Sequence, residues 1–175
     1  QLPEAAQRLK DEGNERFKAK HYGEAVERYT DAIALASEKE HPRALSALYA
    51  NRALAYTRTE SYGAAAADGR KAIELDPKNP KAYYRLGSAQ VALGKFKDGL
   101  ATFRIVVSMC PNDKDALAKL DACQKEVRRQ AFEAAIATEA TMLPSEKANP
   151  GAMDVPASYT GPRWDTPASE SATFA

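Results

Sequence analysis

Five polar side chains with helical spacing are the most informative feature of this sequence. Lys10 and Asn14 lie four residues apart, as do Lys81 and Arg85, and Asn51 lies between the two pairs. A spacing of four places two side chains on one face of an α-helix. The set offers two ammonium groups, one guanidinium and two carboxamides, and we expect no acid in their midst. It suits a ligand with paired carboxylates, because each charge-assisted hydrogen bond contributes about 1.5–3 kcal/mol.

A 34-residue repeat would position these side chains. Residues 46–79 and 80–113 correspond position for position, and residues 6–39 form an earlier copy with the same offsets between small residues. Each copy carries two apolar stripes with helical spacing, which predict two helices per copy. Such units are typical of tetratricopeptide repeats (TPRs), which bury their apolar faces by stacking. We therefore expect an all-α fold, a right-handed TPR superhelix whose first helices line a concave surface.

Glycines and other small residues mark the predicted turns and close helix contacts. We place the three turns at residues 21–23, 61–63 and 94–96, where a glycine would supply a permissive backbone. Ala53 and Gly87 occupy equivalent positions in the second and third copies. A larger side chain at such a position would overpack neighbouring helices, at a cost of about 1–3 kcal/mol.

The first two copies are further apart than the period requires. They start 40 residues apart, at positions 6 and 46, and the excess lies in the charged, proline-containing segment Ser37–Arg43. We interpret this segment as an elongated surface loop. The alternative is a longer second helix with a frayed end.

After the third copy the sequence predicts one long helix and then a tail. Asn112 or Asp113 can cap a helix, and one apolar face continues to about residue 140. We predict a capping helix over residues 113–140, which would complete a TPR domain at residues 1–140. Residues 141–175 contain five of the ten prolines and read as a linker or tail without a core of its own. Tyr159 and Trp164 would dock on the repeats or belong to a following domain.

Composition excludes several classes of function. A net charge of +1 gives no indication of nucleic-acid binding, and no apolar run approaches the length of about 18 residues that a membrane span needs. Cys110 and Cys123 are expected to be reduced thiols rather than a disulfide. His21 and His41 lie in predicted turns, and no cysteine–histidine cluster has metal-binding spacing. We expect a monomer without a cofactor or metal in this chain, in the cytoplasm and additionally in the nucleus.

Taken singly, each of the five polar residues could belong to a solvated helix face. Asparagine within a helix is harder to explain, because its side chain competes for backbone hydrogen bonds. Together the five resemble the carboxylate clamp of co-chaperone TPR domains. The resemblance rests on Leu9-Lys10-x-x-Gly13-Asn14-x-x-Phe17, Asn51-Arg52-Ala53 and Lys81-x-x-x-Arg85. It implies binding of the Glu-Glu-Val-Asp carboxyl terminus of the 90-kDa heat-shock chaperone and, as a further partner, of the 70-kDa one.

Longer stretches are similar to the N-terminal region of the serine/threonine protein phosphatase 5 family. The stretches are Thr57–Gly63, Ala92–Phe96, Asp113–Ala116, Phe132–Ala137 and Tyr159–Pro162. This resemblance implies that the TPR domain folds over the active site of its own phosphatase domain and inhibits it. Chaperone tails or acidic lipids would then compete for the groove. Glu60 would be the autoinhibitory contact, although an exposed glutamate is also an ordinary surface residue.

No catalytic residue is predicted within this chain. Its two histidines are too few for the binuclear metal centre that the family's phosphatase domain implies. Three interpretations therefore stand: the regulatory region of a phosphatase, a TPR adaptor co-chaperone without an enzyme, and a generic TPR scaffold for an internal peptide. The last would bind its peptide regardless of a free carboxylate.

Overall fold

The computed structural model describes the backbone of residues 2–140 and the side chains of residues 2–137, and this part of the chain contains seven α-helices and no β-strand. The helices are α1 (Glu4–Lys18), α2 (Tyr22–Ala34), α3 (Pro42–Arg58), α4 (Tyr62–Leu75), α5 (Pro80–Ala92), α6 (Phe96–Met109) and α7 (Lys114–Ala140). From α1 to α6, each helix packs against the next one. The predicted all-α TPR fold class is confirmed.

Residues up to Glu133 form one compact unit, and those from Ala134 onward are grouped separately. The start of α7 belongs to the first unit, where Ala116 and Cys123 are buried against Phe103 and Val106 of α6. Both cysteines are free thiols. The predictions for residues 141–175 lie outside the described residues.

Two helices begin at residues whose side chains accept backbone hydrogen bonds. Asn79 Oδ1 accepts from the backbone N–H of Lys81 at 3.1 Å, and Pro80 occupies the first position of α5. Asp113 Oδ1 accepts from the backbone N–H groups of Asp115 and Ala116 at 3.0 and 3.1 Å. These bonds satisfy donors that have no partner within the helix. Asp113 is thus the cap of α7 that the sequence offered as one of two candidates.

The turns within the repeats are built differently from the prediction. Gly23 and Gly63 lie inside the first turns of α2 and α4. The left-handed backbone instead occurs at Lys20 (φ 65°), Glu60 (φ 59°) and Gly94 (φ 74°), which occupy equivalent positions in the three repeats. Only the third repeat places a glycine there, so the expectation that Gly23 and Gly63 supply the permissive backbone is wrong.

The extra residues between the first two repeats are divided between a loop and a helix. Residues 35–41 connect α2 to α3, and Glu38 in this connection pairs with Lys71 of α4 at 3.1 Å. The loop interpretation is confirmed for this part. Pro42 and Arg43, which were assigned to the loop, instead begin α3, because proline is well suited to the first position of a helix. As a result α3 has 17 residues, whereas α5 has 13.

Small residues allow the helices to approach closely. A Cβ atom on Gly13 would lie 2.7 Å from the Tyr29 ring, and one on Gly87 would lie 3.1 Å from the Phe103 ring. Ala53, at the position equivalent to Gly87, is fully buried. Because protein interiors are close-packed, these positions have no room for larger side chains.

The second repeat contains a buried ion pair that sequence reasoning missed, and its cation also reaches the first repeat. The Arg52 guanidinium forms two hydrogen bonds with the carboxylate of Asp68 on α4, at 2.7 and 2.8 Å. It also donates to Thr30 Oγ1 of α2 at 3.0 Å and lies over the rings of Tyr49 and Tyr56. Arg52 therefore connects α2, α3 and α4 through one side chain.

Candidate peptide-binding groove

A cavity of about 450 Å³ lies where the first helices of the three repeats meet. We call it cavity A. Lys10 reaches it from α1, Asn51 from α3 and Lys81 from α5. The fold therefore brings three of the five predicted residues to one cavity, although they are far apart in the sequence. The other lining residues are Arg43, Ala47, Ala50, Asp76, Asn79 and Pro80.

Asn14 is joined to this group through hydrogen bonds. Its Oδ1 atom accepts from the hydroxyl of Tyr29 at 2.8 Å and from Nδ2 of Asn51 at 3.4 Å. Tyr29 is 2% exposed, and burial raises its pKa to about 12. Because both donors engage the oxygen of Asn14, they fix the orientation of its amide group. A buried tyrosine thus orients a groove residue on the neighbouring helix.

A second cavity of about 410 Å³ contains Arg85, and we call it cavity B. Lys81 lines both cavities, so it connects Arg85 to the residues of cavity A. The Arg85 guanidinium lies 5.5 Å from the centre of the Tyr84 ring. Burial lowers the pKa of Arg85 from its ordinary value, and the nearby positive charge of Arg58 acts in the same direction. A partly desolvated cation of this kind would gain energy from an anionic ligand.

Acids do line both cavities, so the expectation that none lies among the predicted residues is wrong. Asp76 lines cavity A, and Asp113 and Asp115 line cavity B. Two of them accept backbone hydrogen bonds: Asp76 from the N–H of Lys78 at 3.1 Å, and Asp113 from the first turn of α7. These carboxylates lie at helix ends, where they stabilise the turns that border the groove.

The predicted cations of the groove are not paired with acids in the part of the chain that the structure describes. Within the described residues, Lys10, Lys81 and Arg85 form no ion pair, whereas many other basic residues do. Asn79 Nδ2 bonds Ser46 Oγ at 2.9 Å while its Oδ1 caps α5, which fixes the backbone that carries Lys81. The result is a concave surface whose positive charges are not paired with acids of the described residues.

Arg43 was not predicted as a site residue, yet it lines cavity A. It precedes Asn51 by eight residues, two steps of four, and therefore lies on the same face of α3. The sequence contained this spacing, but the assignment of residues 37–43 to a loop hid it.

Glu60, the candidate autoinhibitory residue, lies apart from the groove. It follows α3 in a left-handed conformation, is exposed, and does not line cavity A or B. Left-handed backbone is uncommon for residues other than glycine and is often associated with functional turns. Lys20 adopts the same conformation at the equivalent position, so the conformation alone assigns no function to Glu60.

Residues 2–137 contain no group of three or more His, Cys, Asp or Glu side chains placed to hold a metal ion. None of the helices described is long and apolar enough to cross a membrane.

Three helix pairs with small residues at their contacts define a TPR domain. Comparison with known families agrees: models described as TPR repeat and tetratricopeptide repeat match residues 53–94 and 80–113. The second TPR domain of human RPAP3, solved in complex with the HSP70 peptide SGPTIEEVD, is 36% identical with a TM-score of 0.62. This likeness covers 69% of the present chain and 95% of that one. The chain belongs to the tetratricopeptide-repeat family.

A further solved structure shows the same arrangement. The first TPR of Spaghetti (RPAP3), bound to the HSP90 peptide SRMEEVD, is 29% identical with a TM-score of 0.67, over 73% of the present chain and 99% of that one. The present chain is thus similar to TPR domains that were solved with chaperone peptides.

Among TPR proteins, the chain is similar to the TPR region of a phosphatase. A family model described as PPP5 TPR repeat region matches residues 120–173. Serine/threonine-protein phosphatase 5 of Rattus norvegicus is 42% identical over 159 residues, which is 90% of this chain and 31% of that protein. The chain thus spans about a third of the length of this relative, and the similarity concerns its TPR region.

Proposed function

We propose that this domain binds the acidic C-terminal peptide of 90-kDa and 70-kDa heat-shock chaperones through a carboxylate clamp. Lys10, Asn14 and Asn51 would hold the terminal carboxylate, and Lys81 and Arg85 would hold acidic side chains of the peptide. The observation that carries the proposal is the convergence of Lys10, Asn51 and Lys81 on one cavity, where neither lysine is paired with an acid of the described part of the chain. Two solved TPR domains similar to this chain contain peptides that end in Glu-Glu-Val-Asp.

The test is a calorimetric titration with a peptide ending Met-Glu-Glu-Val-Asp, as the free acid and as the C-terminal amide. We expect micromolar binding of the free acid, about −8 kcal/mol, and a loss of affinity on amidation. Lys81→Ala and Arg85→Ala should each lower the affinity for the free-acid peptide by about tenfold or more, because each removes a charge-assisted contact.

Matched controls are available on second helices. Lys97 and Arg104 lie exposed on α6, so Lys97→Ala and Arg104→Ala remove the same charges away from the groove. They should leave binding unchanged. Equal affinity for the acid and the amide would overturn the clamp and favour a generic scaffold for an internal peptide.

The proposal extends to regulation of an attached phosphatase. The support is the 42% identity to serine/threonine-protein phosphatase 5 across 90% of the chain. In that case the domain covers the active site of its own phosphatase domain, which carries the binuclear metal centre, and Glu60 contacts the active site. Chaperone tails or acidic lipids relieve the inhibition, and the protein acts in the cytoplasm and the nucleus.

A full-length protein with a phosphatase domain would make this testable. We expect its basal activity to rise on adding the Met-Glu-Glu-Val-Asp peptide and also in Glu60→Gln. Lys20→Gln, which neutralises the equivalent position of the first repeat, serves as the control. A full-length chain without a phosphatase domain would favour the adaptor co-chaperone instead.

A further inference from the structure

The extra residues between the first two repeats lengthen the groove as well as the connecting loop. Compared with α5, the helix α3 is longer by one turn, Pro42–Leu45, which adds about 6 Å of wall at its N-terminus. Arg43 in this turn lines cavity A. Ala44 lines a neighbouring cavity of about 530 Å³, together with Lys10. The extra turn therefore extends the groove and brings a cation with it.

This turn is held firmly by the core. Leu45 is 1% exposed and belongs to the cluster that contains Ala25, Tyr29 and Ala32 of α2. The backbone N–H of Leu45 donates to His41 O at 2.9 Å. Arg43 thus extends from a helix with an anchored backbone, so less conformational freedom is lost when a ligand contacts it.

Within the described residues, Arg43 has no hydrogen-bond or ion-pair partner that would give it a structural role. It is exposed, and the hydrogen bonds and ion pairs of the described side chains include none that involves it. With Lys10 and Lys81 it gives cavity A three cationic side chains, against the single carboxylate of Asp76. Cavity B, in contrast, has two cations, Lys81 and Arg85, and two carboxylates. The surplus of positive charge is greatest where Arg43 lies.

We propose that Arg43 is an additional specificity-determining residue, which binds an acidic side chain of the peptide. This inference rests on the proposed function of the groove. A guanidinium can hold a carboxylate with two parallel hydrogen bonds, so Arg43 selects peptides with an acid at one defined position near the C-terminus. Peptides with only the terminal carboxylate gain nothing from it.

The test combines variants of the protein with variants of the peptide. The wild type and Arg43→Ala are titrated with the Met-Glu-Glu-Val-Asp free acid and with three peptides, in each of which one acidic side chain is replaced by its amide. We expect Arg43→Ala to lower the affinity for the parent peptide about tenfold. Against one of the three neutralised peptides the loss should disappear, because that peptide lacks the contacted carboxylate.

Controls separate this inference from the clamp itself. Arg70 is exposed on α4, a second helix, and Arg70→Ala should not change any of the four affinities. An unchanged affinity in Arg43→Ala, or an equal loss with all four peptides, would overturn the role of Arg43 while leaving the clamp intact. A wild type that binds no free-acid peptide would refute the clamp and this inference together.

Discussion

The two sides of the first helices differ in how they treat polar groups. On α1 and α3, a groove residue lies next to a core residue in the sequence. The groove residue Asn14 follows the buried Gly13, and the groove residue Asn51 precedes the core-facing Arg52. The core-facing cation Arg52 has a bidentate acidic partner, a hydroxyl partner and two aromatic rings. The groove-facing cations have no ion pair within the described residues.

The core-facing cation therefore stabilises the fold, whereas the groove-facing cations are available to a ligand. A buried cation must be paired, since an isolated charge in the interior is very costly. A cation at the surface of a groove retains water until a ligand replaces it. Sequence position alone does not distinguish the two, because Asn51 and Arg52 are adjacent and both are polar. Their contacts assign one to the groove and the other to the core.

The largest expected effect comes from removing Arg52, the cation of the buried ion pair. Arg52→Ala should lower the free energy of unfolding by about 3–5 kcal/mol, because Asp68 would remain buried without its partner. Chemical denaturation followed by circular dichroism measures this. Since Arg52 lines neither cavity A nor cavity B, the folded fraction should still bind peptide with little change.

A double variant provides the control. Arg52→Met with Asp68→Leu leaves no buried charge and should recover most of the lost stability. A loss below about 1 kcal/mol in Arg52→Ala would place this pair among ordinary surface ion pairs and would contradict the comparison.

Tyr29 is buried in the core and donates a hydrogen bond to the groove residue Asn14. Its titration should change the stability of the domain by an intermediate amount. Its pKa is raised from an ordinary value of 10.0 to about 12 by burial, so the unfolded chain loses this proton first. Below pH 10 the hydroxyl is protonated in both the folded and the unfolded chain, so its contribution to the stability of the fold is fully present. The free energy of unfolding should then fall by about 2–3 kcal/mol between pH 10 and 12.

The measurement is a series of denaturation curves from pH 8 to 12 on the wild type and Tyr29→Phe. The difference between the two pH profiles isolates this hydroxyl from other groups that titrate in the same range. Parallel profiles would contradict the role of Tyr29. Tyr29→Phe should also weaken peptide binding at neutral pH, since Asn14 loses the donor that orients it.

A smaller effect is expected from two glycines that differ in their surroundings. Gly13→Ala should destabilise the domain by about 1–3 kcal/mol, because the new Cβ would lie 2.7 Å from the ring of Tyr29. Gly63→Ala should stabilise it by about 0.5–1 kcal/mol, since no atom lies within 4 Å of the new Cβ and the residue is helical. Thermal unfolding of both variants tests this. Equal shifts would show that helix propensity, and not packing against Tyr29, decides the outcome.

The sequence allowed most of the fold to be predicted but less of the site. The 34-residue period predicted the helix pairs, because each apolar stripe must be buried against a neighbour. The turns were misassigned because helical glycines at positions 23 and 63 resemble turn residues, while the left-handed positions carry Lys20 and Glu60. Residue type suggests a turn, but the local backbone geometry decides it.

By itself, the sequence determined the all-α repeat fold and which polar side chains share a helical face, since helical spacing is a local property of the chain. Only the tertiary structure decided which of those faces meet. It placed Lys10, Asn51 and Lys81 on one cavity and added Arg43 through an extra turn of α3. It also paired Arg52 with Asp68. Contacts between distant segments depend on how helices pack, and spacing along one helix does not specify that packing.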